Sequence, residues 1–240
     1  MIDRLQNEIS HGKYIASTGE QIWNWSSPAG KLRWAKRIGI FKKFIGNKNS
    51  YILEIGCGTG LFTQEIVKTK NKIIAIDISP DLLAIAQNNI KAKNISFKID
   101  NAYQTSFVPN TFDFIIGSSI LHHLEINQAL KEFHRILKPG GKLIFTEPNH
   151  LNPQITLERS CPYFRKMFNN SPNETAFYRW RLSQQLKISH FKNVKVIPFD
   201  FLHPATPAFL VNFIFSLSKI IEKIPVIKEI SGSLIVTAEK

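Results

Sequence analysis

The stretch "YILEIGCGTGLF", from Tyr51 to Phe62, decides the fold of this chain. Apolar, strand-forming residues run as far as Ile55, and glycines then follow at positions 56, 58 and 60. Glycine adopts positive φ angles at little cost and lets a ligand approach the backbone closely. In parallel sheets, ligands bind beyond the carboxyl ends of the strands. The stretch therefore predicts the first strand of an α/β sheet, with a ligand held by the glycine turn at its end.

Further apolar runs alternate with helical patterns after this strand, which predicts a parallel sheet built from βαβ units. The segment from Leu61 to about Lys68 is predicted as the helix that follows the first strand. The predicted later strands are residues 72–77, 95–99, 112–119, 142–147, 193–199 and 233–239. Ser79 can cap the helix that follows the second strand, with Pro80 in its first turn. Apolar residues at 126, 129, 130, 133, 136 and 137 mark one face of another helix. The "KPGG" that follows is expected to end that helix and turn the chain into the fifth strand.

Length and composition indicate one globular domain. The chain has 240 residues, of which 43% are apolar, and only two cysteines, so we expect neither a disulfide framework nor a metal site. We divide the domain 1–240 into an N-terminal helical lid (1–49), a core (50–150) and two substrate-cap insertions (151–176 and 200–232). The longest uncharged stretch, residues 203–218, is shorter than the ~20 residues of a membrane span. A cytoplasmic, reducing location is expected.

The net charge of +13 is concentrated in part of the N-terminal segment. Residues 31–48 carry seven positive charges and no negative one. Such a run fits a solvated helix face, an anionic lipid or phosphate surface, or a nucleic-acid surface. The charge alone does not choose between these three.

The glycine turn suits two kinds of adenosine-containing ligand. A dinucleotide site reads G-x-G-x-x-G, whereas here position 61 is leucine and the last glycine is Gly60, which disfavours NAD. Asp77 ends the second strand, where a carboxylate can accept from both ribose hydroxyls of either ligand. Other elements of the sequence are needed to separate the two.

Five elements taken together resemble the class I S-adenosylmethionine-dependent methyltransferases, over roughly residues 50–150. They are "LEIGCGTG", "AIDIS", "DNA", "FDFIIGSSILHHL" and "LKPGGKLIFTEPN", in that order and at the family's spacing. The similarity is greatest to the group that includes quinone-biosynthesis enzymes. It implies a Rossmann-like, doubly wound sheet of seven mostly parallel strands with an antiparallel last strand, and S-adenosyl-L-methionine as cofactor.

The resemblance also implies which residues bind the cofactor. Glu54 and the glycines Gly56, Gly58 and Gly60 would hold its methionine half, with the Ser118 carbonyl on the amine. Asp77 would bind the ribose and Ile78 would pack on the adenine. Where the family often has Gly-Asp-Ala, this chain has Asp100, Asn101 and Ala102. Either Asn101 or Asp100 then accepts from the adenine amino group.

The histidines after the fourth strand are candidates for acid–base chemistry. A histidine with a near-neutral pKa suits deprotonation of a phenol or an acidic carbon. We predict His123 as the catalytic base, because a histidine recurs there in related enzymes, and His122 as a pocket-shaping residue. Glu147 is either a substrate contact or a buried turn carboxylate. Cys161 is expected to pack, since it does not match the nucleophile motif of cytosine-C5 enzymes.

The acceptor must be inferred from segments outside the resemblance. Ser118-Ser119-Ile120-Leu121 lacks the Pro-Pro motif of nucleobase amino-methylating enzymes but leaves ribose methylation open. The tryptophans 23, 25 and 34 either close over the cofactor or pack on the sheet. In 200–232, residues Phe209, Phe213, Leu217, Ile220 and Ile224 recur at helical spacing. That helix either buries this stripe as a cap or lies against a membrane surface.

Both alternatives for the 200–232 segment predict an apolar pocket roof. We therefore expect methyl transfer to a small, hydrophobic or lipid-linked acceptor of the quinone, lipid or sugar type. RNA methylation and a non-catalytic cofactor-binding protein are the competing hypotheses.

Overall fold

A seven-stranded sheet forms the centre of the protein, in a computed structural model that describes residues 2–19, 24–161, 163 and 174–240. The strands are β1 (Tyr51–Ile55), β2 (Lys72–Asp77), β3 (Ile95–Ile99), β4 (Phe112–Ser118), β5 (Leu137–Pro148), β6 (Lys192–Phe199) and β7 (Ser233–Glu239). Their spatial order is β3-β2-β1-β4-β5-β7-β6, and β1 to β5 pair in parallel. Strand β7 is antiparallel to both β5 and β6. The predicted mostly parallel sheet with an antiparallel last strand is confirmed.

Helices cover both faces of this sheet. They are α1 (Ile2–Thr18), α2 (Pro28–Ile45), α3 (Thr63–Ile66), α4 (Pro80–Asn89), α5 (Ile126–Ile136), α6 (Pro153–Ser160), α7 (Arg179–Ile188) and α8 (Ala208–Ile221). Helix α4 begins as predicted: the Ser79 hydroxyl accepts from the Leu82 amide, and Pro80 occupies the first turn. Within the described residues, no helix is both long enough and apolar enough to cross a bilayer.

The strands are buried on both faces because successive apolar residues point to opposite sides of the sheet. In β4, Ile115 packs in the core beneath α5 and α7, whereas Ile116 packs in the core beneath α2. In β5, Leu143 and Ile144 divide in the same way. The predicted apolar face of α5 is buried in the first of these cores. This two-sided burial is why the chain forms a doubly wound fold.

Two predicted boundaries are wrong. The "KPGG" segment is not a turn before β5 but part of that strand, since β5 already pairs at Leu137. The pairing of β4 then jumps from Leu137 to Lys142, so the residues between them bulge out, with Gly140 at a φ of +74°. The helix expected over residues 61–68 is only Thr63–Ile66. The glycine turn uses the residues that would have formed its first turn.

The N-terminal segment is helical, as predicted. Helix α2 packs on the sheet, and α1 lies against α4, where a Cβ on Gly12 would come 2.6 Å from the Ser79 hydroxyl oxygen. The indole rings of Trp25 and Trp34 lie 5.1 Å apart. Trp23 lies outside the described residues, as does part of the predicted 151–176 insertion.

The 200–232 insertion contains α8, but α8 buries the opposite face from the one expected. Val211, Ile214 and Phe215 pack against α2, and the predicted stripe faces solvent. The alternative in which that stripe is buried is therefore wrong. The loop leading into α8 still forms part of the wall of the main cavity.

Candidate functional site

A cavity of about 950 Å³ lies at the carboxyl ends of the parallel strands. Strands β1 and β4 are neighbours there, and the chain leaves them in opposite directions, which makes this the switch point of the sheet. The cavity wall includes most of the predicted site residues, namely Gly56, Gly58, Asp77, Ile78, Asp100, Asn101, Ala102, Ser118 and His123. Glu54 and Gly60 do not line it.

The glycine turn is shaped by the left-handed backbone that only glycine adopts without strain. Gly58 has a φ of +54°, and a Cβ added there would meet no atom within 4 Å, so the backbone faces open cavity. At Gly60 a Cβ would lie 2.7 Å from the Ile90 side chain. Gly58 thus leaves room for a ligand, whereas Gly60 lets the turn pack on the end of α4.

Asp77 joins the end of β2 to the glycine turn. Its two carboxylate oxygens accept from the Gly58 and Ser79 amides, each at 2.8 Å. Burial raises the pKa of Asp77, and the amide hydrogen bonds oppose that rise. Each oxygen keeps a further lone pair, because a carboxylate has about four acceptor positions. Asp77 can therefore accept hydrogen bonds from a ligand while it holds the turn.

Glu54 lies beneath the turn instead of in the cavity wall. Its Oε1 accepts from the Thr63 hydroxyl at 2.9 Å, and its Oε2 has no hydrogen-bond partner. Burial raises the pKa of Glu54 to about 8, although the Thr63 hydrogen bond opposes the rise. A pKa in this range favours the neutral carboxylic acid at pH 7. Its contacts support the turn and α3.

The carboxylate of Asp100 is occupied by its own loop. It accepts from the Asn101 amide at 2.9 Å and from the Ser106 hydroxyl at 2.6 Å. Although burial opposes the change, these hydrogen bonds lower the pKa of Asp100. The Asn101 carbonyl oxygen accepts from the Tyr103 amide at 3.0 Å. Both side chains line the cavity, and both keep free lone pairs that can face an adenine.

His122 and Glu147 form a buried pair under the loop after β4. Glu147 is fully buried and accepts from the Ile120 and Leu121 amides at 3.1 and 2.8 Å. The His122 Nδ1 atom lies 2.7 Å from its other oxygen. Burial raises the pKa of Glu147 to about 7 and lowers that of His122 well below its ordinary value. The sequence left open whether Glu147 contacts the substrate or is a buried turn carboxylate, and the structure shows the buried turn carboxylate.

His123 faces the cavity beside a carboxylate that the sequence did not identify. The Nδ1 atom of His123 lies 2.9 Å from Glu8 Oε2, and Glu8 belongs to α1. His11, one turn further along α1, also lines the cavity, and burial lowers its pKa. One face of α1 carries Leu5, Glu8, Gly12 and Ile15 at helical spacing. That spacing is the feature of the sequence that could have identified Glu8 as a cavity residue.

Arg37 of α2 is a second cavity residue that sequence reasoning missed. It is 4% exposed, and its guanidinium donates to Ser233 at 2.7 Å and to Ser119 at 3.3 Å. Its Nε atom has no hydrogen-bond partner. Burial, and then the charge of Arg33, lower the pKa of Arg37 to about 10. Both arginines approach Asp200, at 3.8 and 2.8 Å, so one carboxylate faces two cations.

The basic run of residues 31–48 is neutralised only in part. Arg33, Lys36, Arg37 and Lys42 are in ion pairs with carboxylates of other elements. This leaves three of its seven charges, on Lys31, Lys43 and Lys48, outside the ion pairs of the described residues. A continuous nucleic-acid surface on α2 is correspondingly disfavoured.

His122, His123 and Glu174 bring potential metal-ligand atoms within 4.8 Å of one another at the cavity floor. Arg159 forms an ion pair with Glu174. That guanidinium supplies the positive charge that a metal would otherwise bring to the carboxylate. The cluster is therefore already balanced by this chain's own side chains.

Comparisons with known proteins find a family similarity in the central part of the chain. Residues 53–145 match the family model described as "Methyltransferase domain". Among curated relatives, demethylmenaquinone methyltransferase of Lactococcus lactis is 32% identical over 54% of this chain and 56% of that protein. Ubiquinone biosynthesis O-methyltransferase of Coxiella burnetii is 26% identical over 56% of this chain and 61% of that protein. Less than two thirds of either relative is therefore spanned.

A solved structure shares the fold. Haemonchus contortus phosphoethanolamine N-methyltransferase 2, in complex with S-adenosyl-L-methionine, superposes with a TM-score of 0.63 at 18% identity. The superposition covers 86% of this chain and 52% of that one. The sheet order, the glycine turn and the family match agree with one another. Over residues 53–145 this chain is therefore similar to the methyltransferase domain family, on a fold that it shares with the Haemonchus contortus enzyme.

Proposed function

We propose that this protein transfers a methyl group from S-adenosyl-L-methionine to a small acceptor with a large hydrophobic part, such as a quinone precursor. The observation that carries the proposal is the single cavity in which the glycine turn and Asp77 share walls with His123 and with apolar side chains. One cavity that holds both an adenosine-type site and a general base is what methyl transfer to an acidic acceptor requires.

The residues present fit this cofactor. The open space at Gly58 admits a ligand against the backbone, and Asp77 keeps lone pairs for two hydroxyl donors. Arg37 and Arg33 together exceed the charge of Asp200, so the wall near α2 has an excess positive charge. A ligand with a diol at one end and a carboxylate at the other matches these two places.

Each wall residue then has a role in binding. Arg37 would pair with the carboxylate of the methionine half, and Asp77 would accept from the ribose hydroxyls. Ile78 would pack on the adenine, with Asn101 or Asp100 accepting from its amino group. When bound, the cofactor supplies an electrophilic methyl group on a positively charged sulfur. The neutral Glu54 would support the turn without adding a second negative charge beside Asp77.

The pairing of His123 with Glu8 supports a role for His123 as the base. The Glu8 carboxylate lies 2.9 Å from Nδ1, at ion-pair distance but without the alignment of a hydrogen bond. His123 would then take a proton from an acceptor hydroxyl or acidic carbon as the acceptor attacks the methyl carbon. Glu8 would stabilise the resulting imidazolium. His122 is less suited to this role, because it is buried and burial lowers its pKa well below the ordinary value.

The acceptor class follows from the apolar part of the cavity wall. Trp25, Trp34, Ile155, Phe201 and Leu202 line it. Aromatic and aliphatic walls with a few polar groups are typical of sites for hydrophobic small molecules. The names of the two curated relatives, both of quinone metabolism, point to the same class of acceptor.

The test is methyl transfer from methyl-labelled cofactor to defined acceptors. The protein would be incubated with demethylmenaquinone in reduced form, with a phospholipid and with bulk RNA, and label would be counted in the organic and aqueous phases. We expect label in the organic phase with the quinol and none with Asp77→Asn. Label only in RNA, or none in any acceptor despite measured cofactor binding, would refute the proposal.

A further inference from the structure

Helix α8 exposes a stripe of large apolar side chains to solvent. Phe209 is 83% exposed, Phe213 66% and Ile220 62%, and Leu217 and Ile224 continue the stripe. At 100° per residue the four positions within the helix, 209, 213, 217 and 220, fall within about 80° of one another around its axis, and Ile224 follows shortly after the helix ends. The side chains therefore form one continuous ridge and not scattered surface positions.

The exposure is not the result of a helix that lacks a buried side. Val211 is buried, and Ile214 and Phe215 pack with it against α2 on the opposite face. A helix that is apolar all round is normally buried all round. Beyond α8 the apolar surface continues, since Val226 is 81% exposed and Ile230 45%. The folded chain thus leaves uncovered an apolar surface of the kind that marks an interaction site.

The charges around the ridge are positive. Lys219 and Lys223 are exposed and Lys228 is partly exposed, and none of the three takes part in an ion pair among the described residues. The two acids of the same segment are neutralised from outside it: Glu222 pairs with Lys36, and Glu229 pairs with Arg179. An apolar ridge flanked by uncompensated lysines is complementary to a surface with an apolar interior and anionic head groups.

We infer that this docking surface, defined as Phe209, Phe213, Leu217, Ile220 and Ile224 with Lys219, Lys223 and Lys228, binds the surface of an anionic lipid bilayer. A second copy of the chain fits less well, because it would bring like charges together and because lysine is depleted in protein interfaces. A bilayer accepts the ridge without a shaped partner and attracts all three lysines.

Docking in this way would also place the cavity near the bilayer. The loop that leads into α8, residues 201–205, lines the cavity. A lipid-like acceptor could then pass from the bilayer to the site without crossing bulk water. This second step rests on the proposed methyl transfer, whereas docking itself does not.

Vesicle flotation tests the docking surface without any substrate. The full-length protein would be mixed with phosphatidylcholine vesicles that contain or lack phosphatidylserine, at low and high salt. We expect flotation with the anionic vesicles at low salt and less at high salt, because screening weakens the lysine attraction. The variant Phe209→Ser/Phe213→Ser should bind at least tenfold more weakly, given the apolar area that it removes.

Two further variants separate the contributions. Replacing the three lysines with glutamine should weaken binding to anionic vesicles by about fivefold per lysine and leave binding to neutral vesicles unchanged. Val108→Ser is the matched control, because Val108 is 70% exposed but lies in the loop between β3 and β4. It should float like the wild type.

Three results would overturn the inference. The first is wild-type protein that stays at the bottom of the gradient with anionic vesicles at low salt. The second is an equal loss of vesicle binding in Val108→Ser and in the double phenylalanine variant. The third is a wild-type dimer, seen by light scattering, that dissociates in the double variant. Calorimetry with S-adenosylhomocysteine on the same proteins reports separately on the proposed function. Flotation without heat, or heat without flotation, shows which of the two has failed.

Discussion

The buried carboxyl of Glu54 predicts a specific pH dependence of stability. Its pKa is raised from an ordinary 4.5 to about 8, chiefly by burial. A carboxyl whose pKa is higher in the folded state stabilises that state while protonated, and the contribution is lost as pH rises from about 4.5 to about 8. The full shift corresponds to at most about 5 kcal/mol of unfolding free energy.

The measurable part lies between about pH 6 and about pH 9, where the fold should lose about 3 kcal/mol through this group. Glu54→Gln has nearly the same shape and cannot ionise, so it should lose that much less over the same range. At about pH 6 Glu54→Gln should already be about 2 kcal/mol more stable than the wild type, because Glu54 of the unfolded wild-type chain is ionised there whereas the amide is neutral in both states. Urea unfolding at both pH values gives the four free energies.

Glu65→Gln is the control for this comparison. Glu65 is partly exposed, and its hydrogen bonds to Lys68 and Lys42 lower its pKa. It is therefore ionised in both states above about pH 6, and its replacement should leave the loss on going to high pH unchanged. If wild type and Glu54→Gln lose the same stability between the two pH values, Glu54 is not a neutral acid in the folded protein.

Three further variants test the cavity itself. His123→Gln should lower kcat at least 100-fold with unchanged S-adenosylhomocysteine affinity, and Glu8→Gln should lower kcat by less. Unchanged kcat in His123→Gln would rule out His123 as the base. Arg37→Gln should weaken cofactor binding at least tenfold in calorimetry. Its unfolding free energy should fall by no more than about 1 kcal/mol, since the substitution removes an excess buried charge. A fall of several kcal/mol with unchanged cofactor affinity would mean that Arg37 has a structural role instead. Gly58→Ala should cost about 1–2 kcal/mol in urea unfolding through its left-handed φ, and an unchanged midpoint would contradict the strain.

The sequence predicted those parts of the fold that depend on local periodicity. The apolar run of β4 and the apolar face of α5 were both visible as patterns, and both form as expected. The bulge around Gly140 was not predictable, because a Pro-Gly-Gly sequence is compatible both with a turn and with a bulge. Only pairing with β4 decides between them.

The site divides in the same way. Gly58 and Asp77 follow strands whose position in the sheet could be inferred, so their meeting at one edge could be inferred too. Glu8 and Arg37 come from helices before β1, and no local pattern tells where such helices pack. The burial of Gly12 against Ser79 fixes α1 over the cavity, and that contact is tertiary.

The exposed stripe of α8 shows why amphipathic spacing alone cannot tell which face a helix buries. Both faces of α8 are apolar, so a choice made from hydrophobicity had no basis. Polar contacts outside the stripe make the choice: Glu222 accepts from the Asp200 amide at 2.9 Å and pairs with Lys36 of α2.

This polar network also connects the outer surface to the cavity. Asp200 pairs with Arg33 and approaches Arg37, the same cation that we propose for the cofactor carboxylate. The segment from β6 to α8 is thus clamped to α2 by the side chains that set the charge of the cavity wall. A bilayer that held α8 would act on a rigid extension of the site and not on a detached flap. Breaking the ion pairs of Asp200 and Glu222 with α2 should therefore weaken both cofactor binding and bilayer docking. If the surface and the site were independent, only one of the two would change.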